Sequence, residues 1–267
     1  MEEQYRMKDF KESATEIARE TGTFLRDRFN SAHTINYKGE INLVTEADKI
    51  SEEMITSEIN HLFPDHDILA EEFTYTRRGS DFRWIIDPLD GTTNYAHGYP
   101  VFCVSIALQK LDEIILGVNY NPMLKEMFVA EKGEGAFLNG REIQVSNTLR
   151  IAQGFIATGF PYDIREDSQN NLDYFNEMIM RARAIRRAGS AALDLAYVAA
   201  GRFDGFWELK LSPWDTAAGW LIVEEAGGVV TDFSGQEYFL ESPGILASNG
   251  RIHKEMMDVL REASSIS

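Results

Sequence analysis

The chain of 267 residues carries 43 acidic and 26 basic residues, a formal net charge of −17. This charge disfavours binding to nucleic acid polymers unless basic residues cluster somewhere. The longest apolar runs are too short to cross a bilayer, and the charged segment MEEQYRMKDFKES lacks the apolar centre of a signal peptide. We therefore expect a cytoplasmic protein without membrane or nucleic acid partners.

Two amphipathic helices are predicted in the first quarter of the chain. Apolar residues recur at spacings of three and four over residues 4–29 and again from about Glu46 to Phe63, where Pro64 ends the second helix. A short apolar segment, DILA, follows and leads into the acidic pair Glu71–Glu72.

Strands dominate the next part of the sequence. Trp84–Ile86 is predicted as a short buried strand, and residues 102–145 alternate β-branched and aromatic segments with short polar breaks, which indicates an antiparallel meander. Asn139-Gly140 predicts a tight hairpin turn within it. Cys103, the only cysteine, is predicted to be an unreactive core residue because no base or cation lies near it in sequence.

Strands and helices alternate in the second half. A helix is predicted over residues 171–185, a second one ends at Gly201, and a third has Ser212 as its cap and Pro213 in its first turn. The four arginines of Arg181–Arg187 are interpreted as a solvated helix end, with contact to an anionic substrate or a partner subunit as the alternative.

These elements predict an α/β protein with mixed sheets. We expect two halves that meet near residue 147. The half formed by residues 1–147 would contain the antiparallel sheet and most acids of interest, and residues 148–267 would form an α/β half.

Several acids lie where predicted elements begin or end: Asp48, Glu71, Asp87, Asp90 and Asp215. Acids at the ends of strands and the starts of helices can converge at one edge of a sheet. Carboxylates gathered in a confined space repel each other and need cations, and such oxygen ligands suit Mg²⁺. The sequence therefore indicates a magnesium site.

Each acid also has a purely structural interpretation. Asp48 and Asp215 each stand three residues after a hydroxyl residue, Thr45 and Ser212, as in a helix capping box. Asp87 and Asp90 could belong to a simple turn. These interpretations are hard to hold for all of the acids together.

Gly91-Thr92-Thr93 directly follows the second of the paired acids. If a helix begins there, its free N–H groups form an anion cradle, and Gly91 permits close approach of a phosphate. Metal ions beside such a cradle indicate phosphate ester hydrolysis, in which two metals activate a water and stabilise the leaving oxygen.

Long motifs carry a family resemblance. WIIDPLDGTTNYAHG and SPWDTAAGWLIVEEAGG resemble the two signatures of the inositol monophosphatase family of Mg²⁺-dependent, lithium-sensitive phosphatases. LVTEAD, LAEEF, NPMLKEMFVAEKGEGAFLNGREIQVS and RRAGSAALDLAYVAAGRFDGFWE support the match, in family order and over nearly the whole chain. The resemblance implies a layered αβαβα sandwich and a homodimer.

The resemblance also implies a set of metal ligands. Glu71, Asp87 and the backbone carbonyl of Leu89 would bind a first Mg²⁺, whereas Asp87, Asp90 and Asp215 would bind a second. A third, weaker ion would lie near Glu71. The family's loop near Lys38, which bears on this third ion, is one residue shorter here than in the best-known members.

Catalytic and substrate contacts follow from the same motifs. Thr92, paired with Asp48, would position and activate the attacking water with the help of Glu71, without a covalent phosphoenzyme. The phosphate would be held by the backbone N–H groups of Gly91 and Thr92. The hydroxyl-bearing ring of the substrate would be contacted by Asp90, Ala191 and Glu208.

Substrate identity is the open point. The leading hypothesis is hydrolysis of inositol monophosphates, with narrow or broad specificity. Thr158–Asn170, where the family varies, has no inositol-specific residue, so fructose 1,6-bisphosphate, NADP(H) and 3′-phosphoadenosine nucleotides are alternatives. A catalytically inactive relative with a binding role is a further hypothesis, although all of the acids above and Thr92 are present.

Overall fold

A computed structural model describes residues 2–29, 35–37, 43–72 and 75–264. Within these residues the helices are α1 Glu2–Arg28, α2 Glu46–Leu62, α3 Thr92–Ala96, α4 Leu172–Ile179, α5 Ala191–Ala199, α6 Pro213–Glu225 and α7 His253–Ser264. Lys38 and the Thr45 side chain, on which sequence predictions fell, lie outside the described part.

The strands form one two-stranded, one eight-stranded and one five-stranded sheet in the described part of the chain. They are β1 Ile35–Tyr37, β2 Leu43–Thr45, β3 Asp67–Ala70, β4 Tyr75–Thr76, β5 Phe82–Asp90, β6 Cys103–Lys110, β7 Glu113–Asn121, β8 Glu126–Glu131, β9 Gly135–Leu138, β10 Arg141–Glu142, β11 Phe155–Thr158, β12 Ala184–Arg186, β13 Gly205–Leu209, β14 Val229–Thr231 and β15 Gly244–Ser248. The large sheet runs in the order β10-β9-β8-β7-β6-β5-β3-β4 and the smaller one in the order β12-β11-β13-β15-β14.

The helices and the two larger sheets stack in alternating layers. Helices α1 and α2 pack on one face of the eight-stranded sheet, and α5 and α6 fill the space between the two sheets. Helices α4 and α7 cover the outer face of the five-stranded sheet. The predicted α/β class with mixed sheets and the αβαβα sandwich are thereby confirmed. No helix among the described residues is long and apolar enough to span a membrane.

Local sequence signals act at several element boundaries. Asn139 and Gly140 have φ angles of 50° and 77°, as the predicted hairpin turn requires. Pro213 occupies the first turn of α6, where its missing N–H has no helical partner to lose. The apolar stripe of α1 is buried at Phe10, Ile17 and Leu25, which confirms its predicted amphipathic character.

Two predicted elements are wrong in extent. The helix expected over residues 171–185 ends at Ile179, and Ala184–Arg186 forms strand β12, which pairs in parallel with β11. The gain of a sheet partner outweighs the helical propensity of Ala and Arg there. The strand expected at Trp84–Ile86 instead runs from Phe82 through Asp90.

Candidate active site

Strand β5 carries the first two acids of the site. Asp87 and Asp90 are three residues apart, so regular alternation would direct their side chains to opposite faces of the sheet. The pairing of β5 with β6 shifts register between these two residues, as in a β-bulge, and this irregularity lets both carboxylates face the same side. The sequence prediction that both acids lie beyond the strand is therefore wrong, although they do come together.

Asp215 completes a cluster with Asp87 and Asp90. One carboxylate oxygen from each of the three residues lies within 4.8 Å of those of the other two. Burial raises the pKa of all three carboxyl groups, and negative neighbours raise the pKa of Asp87 and Asp215 further. Lys and Arg side chains of the described residues form no ion pair with them, so this part of the chain supplies the cluster with no paired counter-charge.

Glu71 approaches the cluster from the neighbouring strand. Strands β3 and β5 are parallel, and Ala70 pairs with Ile86, so Glu71 follows β3 beside Asp87. The negative charge of Glu71 is the second cause, after burial, of the raised pKa of Asp87. All four acids that are predicted to bind metal ions are therefore close enough to interact electrostatically.

Asp215 serves the helix that carries it as well as the cluster. The backbone N–H of Ser212 donates to Asp215 Oδ2 at 2.7 Å, the capping contact that the sequence predicts at the start of α6. The residue still contributes an oxygen to the cluster with Asp87 and Asp90. The structural and the metal-binding interpretations of Asp215 are thus compatible.

Asp48 and Thr92 form a buried pair. The Thr92 hydroxyl lies 2.8 Å from Asp48 Oδ1 and 3.1 Å from the backbone carbonyl oxygen of Leu89. Asp48 is fully buried and Thr92 is 8% exposed. The pair joins the start of α2 to the start of α3, next to the predicted metal-binding carbonyl of Leu89.

Gly91 is the N-cap of α3, which begins at Thr92, so a helix does start at the predicted place. Its φ angle is 96°, in the left-handed region that favours glycine. A Cβ atom at this position would lie 2.8 Å from the backbone oxygen of Val101. A side chain is therefore excluded here on both conformational and steric grounds.

The second oxygen of Asp90 is held by the start of α5. Ser190 Oγ donates to Asp90 Oδ2 at 2.6 Å, and the backbone N–H of Ala192 donates at 2.8 Å. The Cys103 thiol lies 3.8 Å from the same oxygen. Cys103 is buried, as predicted, and burial raises its thiol pKa well above the ordinary value, which keeps the sulfur protonated and unreactive.

The predicted site residues line one cleft with two adjoining lobes. The metal lobe has a volume of about 330 Å³ and is lined by Glu71, Asp87, Leu89 and Thr92. The substrate lobe has a volume of about 460 Å³ and is lined by Ala191. Four predicted residues line both lobes: Asp90, Gly91, Glu208 and Asp215. Asp48 lines neither and reaches the cleft through Thr92.

Sequence reasoning missed several residues of the substrate lobe. Ser190 and Asp194 stand in the quoted segment RRAGSAALD, and a serine before an alanine-rich helix was the available signal for Ser190. Phe160, Pro161 and Tyr162 line both lobes from the variable segment, which has no motif of its own.

The arginine-rich segment is not a helix end. Part of it is strand β12, and Arg187 lines the substrate lobe. The positive charge of Arg187 opposes the rise of the Glu208 pKa, which burial nevertheless raises to about 8. The alternative interpretation, contact with a small substrate, fits the position of Arg187.

The chemistry of the acid cluster fits Mg²⁺. Asp87 and Asp90 are buried and Asp215 is half-buried, and no Lys or Arg of the described residues is ion-paired with them. Their carboxylates offer the hard oxygen ligands that this ion prefers. Their raised pKa values show that the metal-free cluster resists full ionisation. A divalent cation would relieve this repulsion, so folding stability should depend on both metal and pH.

We expect Mg²⁺ to raise the melting temperature more at high than at low pH. Burial and negative neighbours raise the pKa of Asp87 and Asp215 well above the ordinary value, and burial raises that of nearby Glu208 from 4.5 to about 8. The folded metal-free protein therefore holds protons that the unfolded chain has lost, and its stability falls as pH rises through this window. Ionised carboxylates bind the ion, which stabilises the fold by about 2.7 kcal/mol at 100 times its Kd. Thermal melts in EDTA and in millimolar Mg²⁺ at about pH 5 and pH 8 measure both effects.

Asp87→Asn is the matched variant for this experiment. It removes one charge from the cluster, so it should raise the melting temperature in EDTA and reduce the shift caused by Mg²⁺. An equal Mg²⁺ shift at both pH values, or none in the unmodified protein, would contradict a preformed carboxylate site.

The chain is similar in sequence and fold to known proteins. The model of the inositol monophosphatase family matches residues 6–265. Over 251 residues, 93% of this chain and 88% of its relative, it is 45% identical to the inositol-1-monophosphatase of Synechocystis sp.. It is 43% identical over 235 residues to the Nus factor SuhB of Pseudomonas aeruginosa, covering 85% and 86% of the two chains. The structure of inositol monophosphatase from Anabaena (Nostoc) superposes with a TM-score of 0.87 at 41% identity, over 96% of this chain and 97% of that one. The chain belongs to the inositol monophosphatase family.

Proposed function

We propose that this protein is a Mg²⁺-dependent phosphomonoesterase that hydrolyses inositol monophosphates to inositol and inorganic phosphate. The observation that carries the proposal is the convergence of Asp87, Asp90 and Asp215, each with one carboxylate oxygen within 4.8 Å of the others. All three line the metal lobe, and Asp90 and Asp215 line the substrate lobe as well. A phosphate ester can therefore meet the carboxylates in one lobe and extend its alcohol portion into the other.

The acids and one carbonyl would hold two or three ions. Glu71, Asp87 and the Leu89 carbonyl would bind one Mg²⁺, and Asp90 and Asp215 would share a second with Asp87; a third would lie near Glu71. Bound Mg²⁺ supplies charge neutralisation and Lewis acid polarisation of the phosphoryl oxygens. The Leu89 N–H donates to Asp87 Oδ1 at 3.0 Å, and this contact orients the shared carboxylate.

Thr92 and Asp48 would orient the attacking water, with Glu71 nearby in the metal lobe. When the Thr92 hydroxyl donates its proton to Asp48 Oδ1, 2.8 Å away, its oxygen lone pairs are available to accept a hydrogen bond from a water. Asp48 fixes the direction of the hydroxyl. As the water gives a proton to the Thr92 oxygen, the hydroxyl proton of Thr92 would pass to the Asp48 carboxylate, so that no net charge is left on Thr92. The attack would be in line and direct.

The phosphate and the alcohol would be held by different groups. The backbone N–H groups of Gly91 and Thr92 would bind the phosphate, where the lack of a side chain at Gly91 permits close approach. Asp90, Ala191 and Glu208 would contact the hydroxyl-bearing ring. Asp90 would act at both the phosphate end and the ring end of the substrate, since it lines both lobes.

A phosphate release assay with Mg²⁺ tests the activity. We expect myo-inositol 1-phosphate to give the highest kcat/KM in a panel with fructose 1,6-bisphosphate, NADP⁺ and 3′-phosphoadenosine 5′-phosphate. EDTA should abolish release, and added Mg²⁺ should restore it. A higher kcat/KM for one of the other three would reassign the substrate, and no release from any of them would favour a non-catalytic role.

Further properties are proposed with the activity. The protein would be cytoplasmic, as expected from its sequence composition, and homodimeric and inhibited by Li⁺, as the family resemblance implies. We also propose two halves, residues 1–147 and 148–267, of which the second supplies Asp215 and the substrate contacts Ala191 and Glu208. The strands of the eight-stranded sheet all precede residue 147 and those of the five-stranded sheet all follow it, which supports this division.

A further inference from the structure

A buried carboxylate in the substrate lobe has no role in the scheme above. Asp194 lies in α5, is 1% exposed and lines the lobe. Within the described residues, no group donates a hydrogen bond to its Oδ1 atom. Buried carboxylate oxygens are normally paired, because an unpaired one has lost its hydration without replacement. Because Asp194 lines the cleft, we expect its unpaired Oδ1 atom to accept a hydrogen bond from a group that enters the cleft.

Asp194 lies one helical turn beyond Ser190, the residue that binds Asp90 at the acid cluster. Its backbone N–H donates to the carbonyl of Ser190 at 3.0 Å, one helical turn earlier, and residues four apart lie on the same face of a helix. Ser190 itself holds Asp90. Asp194 thus lies about 6 Å further along the helix axis than Ser190, on the side of the lobe away from the acid cluster's contact with α5.

The charges in the lobe favour a hydroxyl over a second phosphate as the donor. Asp194 lies within electrostatic range of Glu208 and Asp90, whose charges, after burial, raise its pKa, while Arg187 acts in the opposite direction. Among the described residues that line the lobe, Arg187 is the only Lys or Arg, against four acids. A neutral hydroxyl supplies a hydrogen without adding negative charge.

We propose that Asp194 is a specificity-determining residue that accepts a hydrogen bond from a substrate hydroxyl remote from the phosphate ester. The substrate class is a monophosphate of a neutral ring polyol. The inference rests on the proposed phosphatase activity and goes beyond it, because it assigns a new contact and a reason for preferring polyols.

The test compares a hydroxylated ester with one that has no hydroxyl group. Asp194→Leu removes both acceptor oxygens at similar size, and Asp194→Asn keeps one. We expect the ratio of kcat/KM for myo-inositol 1-phosphate to that for phenyl phosphate to fall about tenfold to a hundredfold in Asp194→Leu and much less in Asp194→Asn. The loss should lie mainly in KM for the inositol ester.

Two further measurements separate the possible failures. Melting temperatures in Mg²⁺ show whether each variant folds, and calorimetric titration of the Mg²⁺-loaded protein with myo-inositol measures the contact without turnover. An unchanged substrate ratio and unchanged inositol binding in Asp194→Leu would overturn the role of Asp194 and assign the oxygen to a water. If the unmodified protein hydrolyses neither ester, the proposed function itself fails.

Discussion

Asp90→Asn is expected to lower kcat by about 10³-fold at saturating Mg²⁺ while the fold is retained. Asp90 belongs to the acid cluster, accepts a hydrogen bond from the start of α5 and lines both lobes of the cleft. An amide keeps the size and one acceptor oxygen, so Ser190 and Ala192 can still donate to it. The negative charge that a second Mg²⁺ needs is lost, and phosphate release measured against Mg²⁺ concentration detects that loss.

The melting temperature of Asp90→Asn distinguishes a loss of catalysis from a loss of folding. Burial raises the pKa of Asp90, so a neutral amide should leave the melting temperature in EDTA equal or higher at neutral pH. Asp112→Asn, at an exposed position in the turn between β6 and β7, is the matched control and should keep full activity. Retention of most of the kcat by Asp90→Asn would contradict a metal-binding role.

The carboxylates of the site could be predicted because their chemistry is local in sequence. Asp87 and Asp90 follow three apolar residues and precede Gly91, a combination that indicates a strand, acids and a tight turn within eight residues. Asp215 follows a serine and a proline that mark a helix start. These signals need no knowledge of distant contacts, and the structure brings the three acids together.

The remaining features depend on partners distant in sequence. Nothing local indicates that β6 shifts its register against β5 between Asp87 and Asp90, although this shift lets both carboxylates face one side. No local sequence signal indicates that Ala184–Arg186 pairs with β11 and therefore forms a strand where a helix was predicted. The sequence shows Asp194 only as an acid in the first turn of a helix. Its place in the substrate lobe near Glu208 depends on residues distant in sequence.

Folding and metal binding share the same groups. The Asp215 carboxylate caps α6 through the Ser212 N–H, and the start of α5 holds Asp90 through the Ala192 N–H. Helix N-termini favour negative charge, which partly offsets the repulsion within the cluster. The helices therefore hold the acids in place without a metal, and the proposed Mg²⁺ would supply the remaining counter-charge.

Thr92→Val and Asp48→Asn are each expected to lower kcat by about 10²-fold to 10⁴-fold with little change in KM. Valine has the shape of threonine without the hydroxyl, and the amide keeps the size of Asp48 without its charge. Both changes break the 2.8 Å pair that would orient the attacking water, whereas the backbone groups that would bind phosphate are untouched. Single-turnover phosphate release at saturating Mg²⁺ isolates this step.

The double variant decides whether the two residues act as one unit. If Asp48 acts through Thr92, the double variant should be no slower than the slower single variant, because either change already disrupts the same function. Thr92→Ser, which keeps the hydroxyl, should retain most of the rate and thereby serve as the matched control. If the losses of the two single variants multiply in the double variant, Asp48 and Thr92 contribute independently, and Asp48 does not act through Thr92. Either conclusion requires that all variants have equal melting temperatures in Mg²⁺.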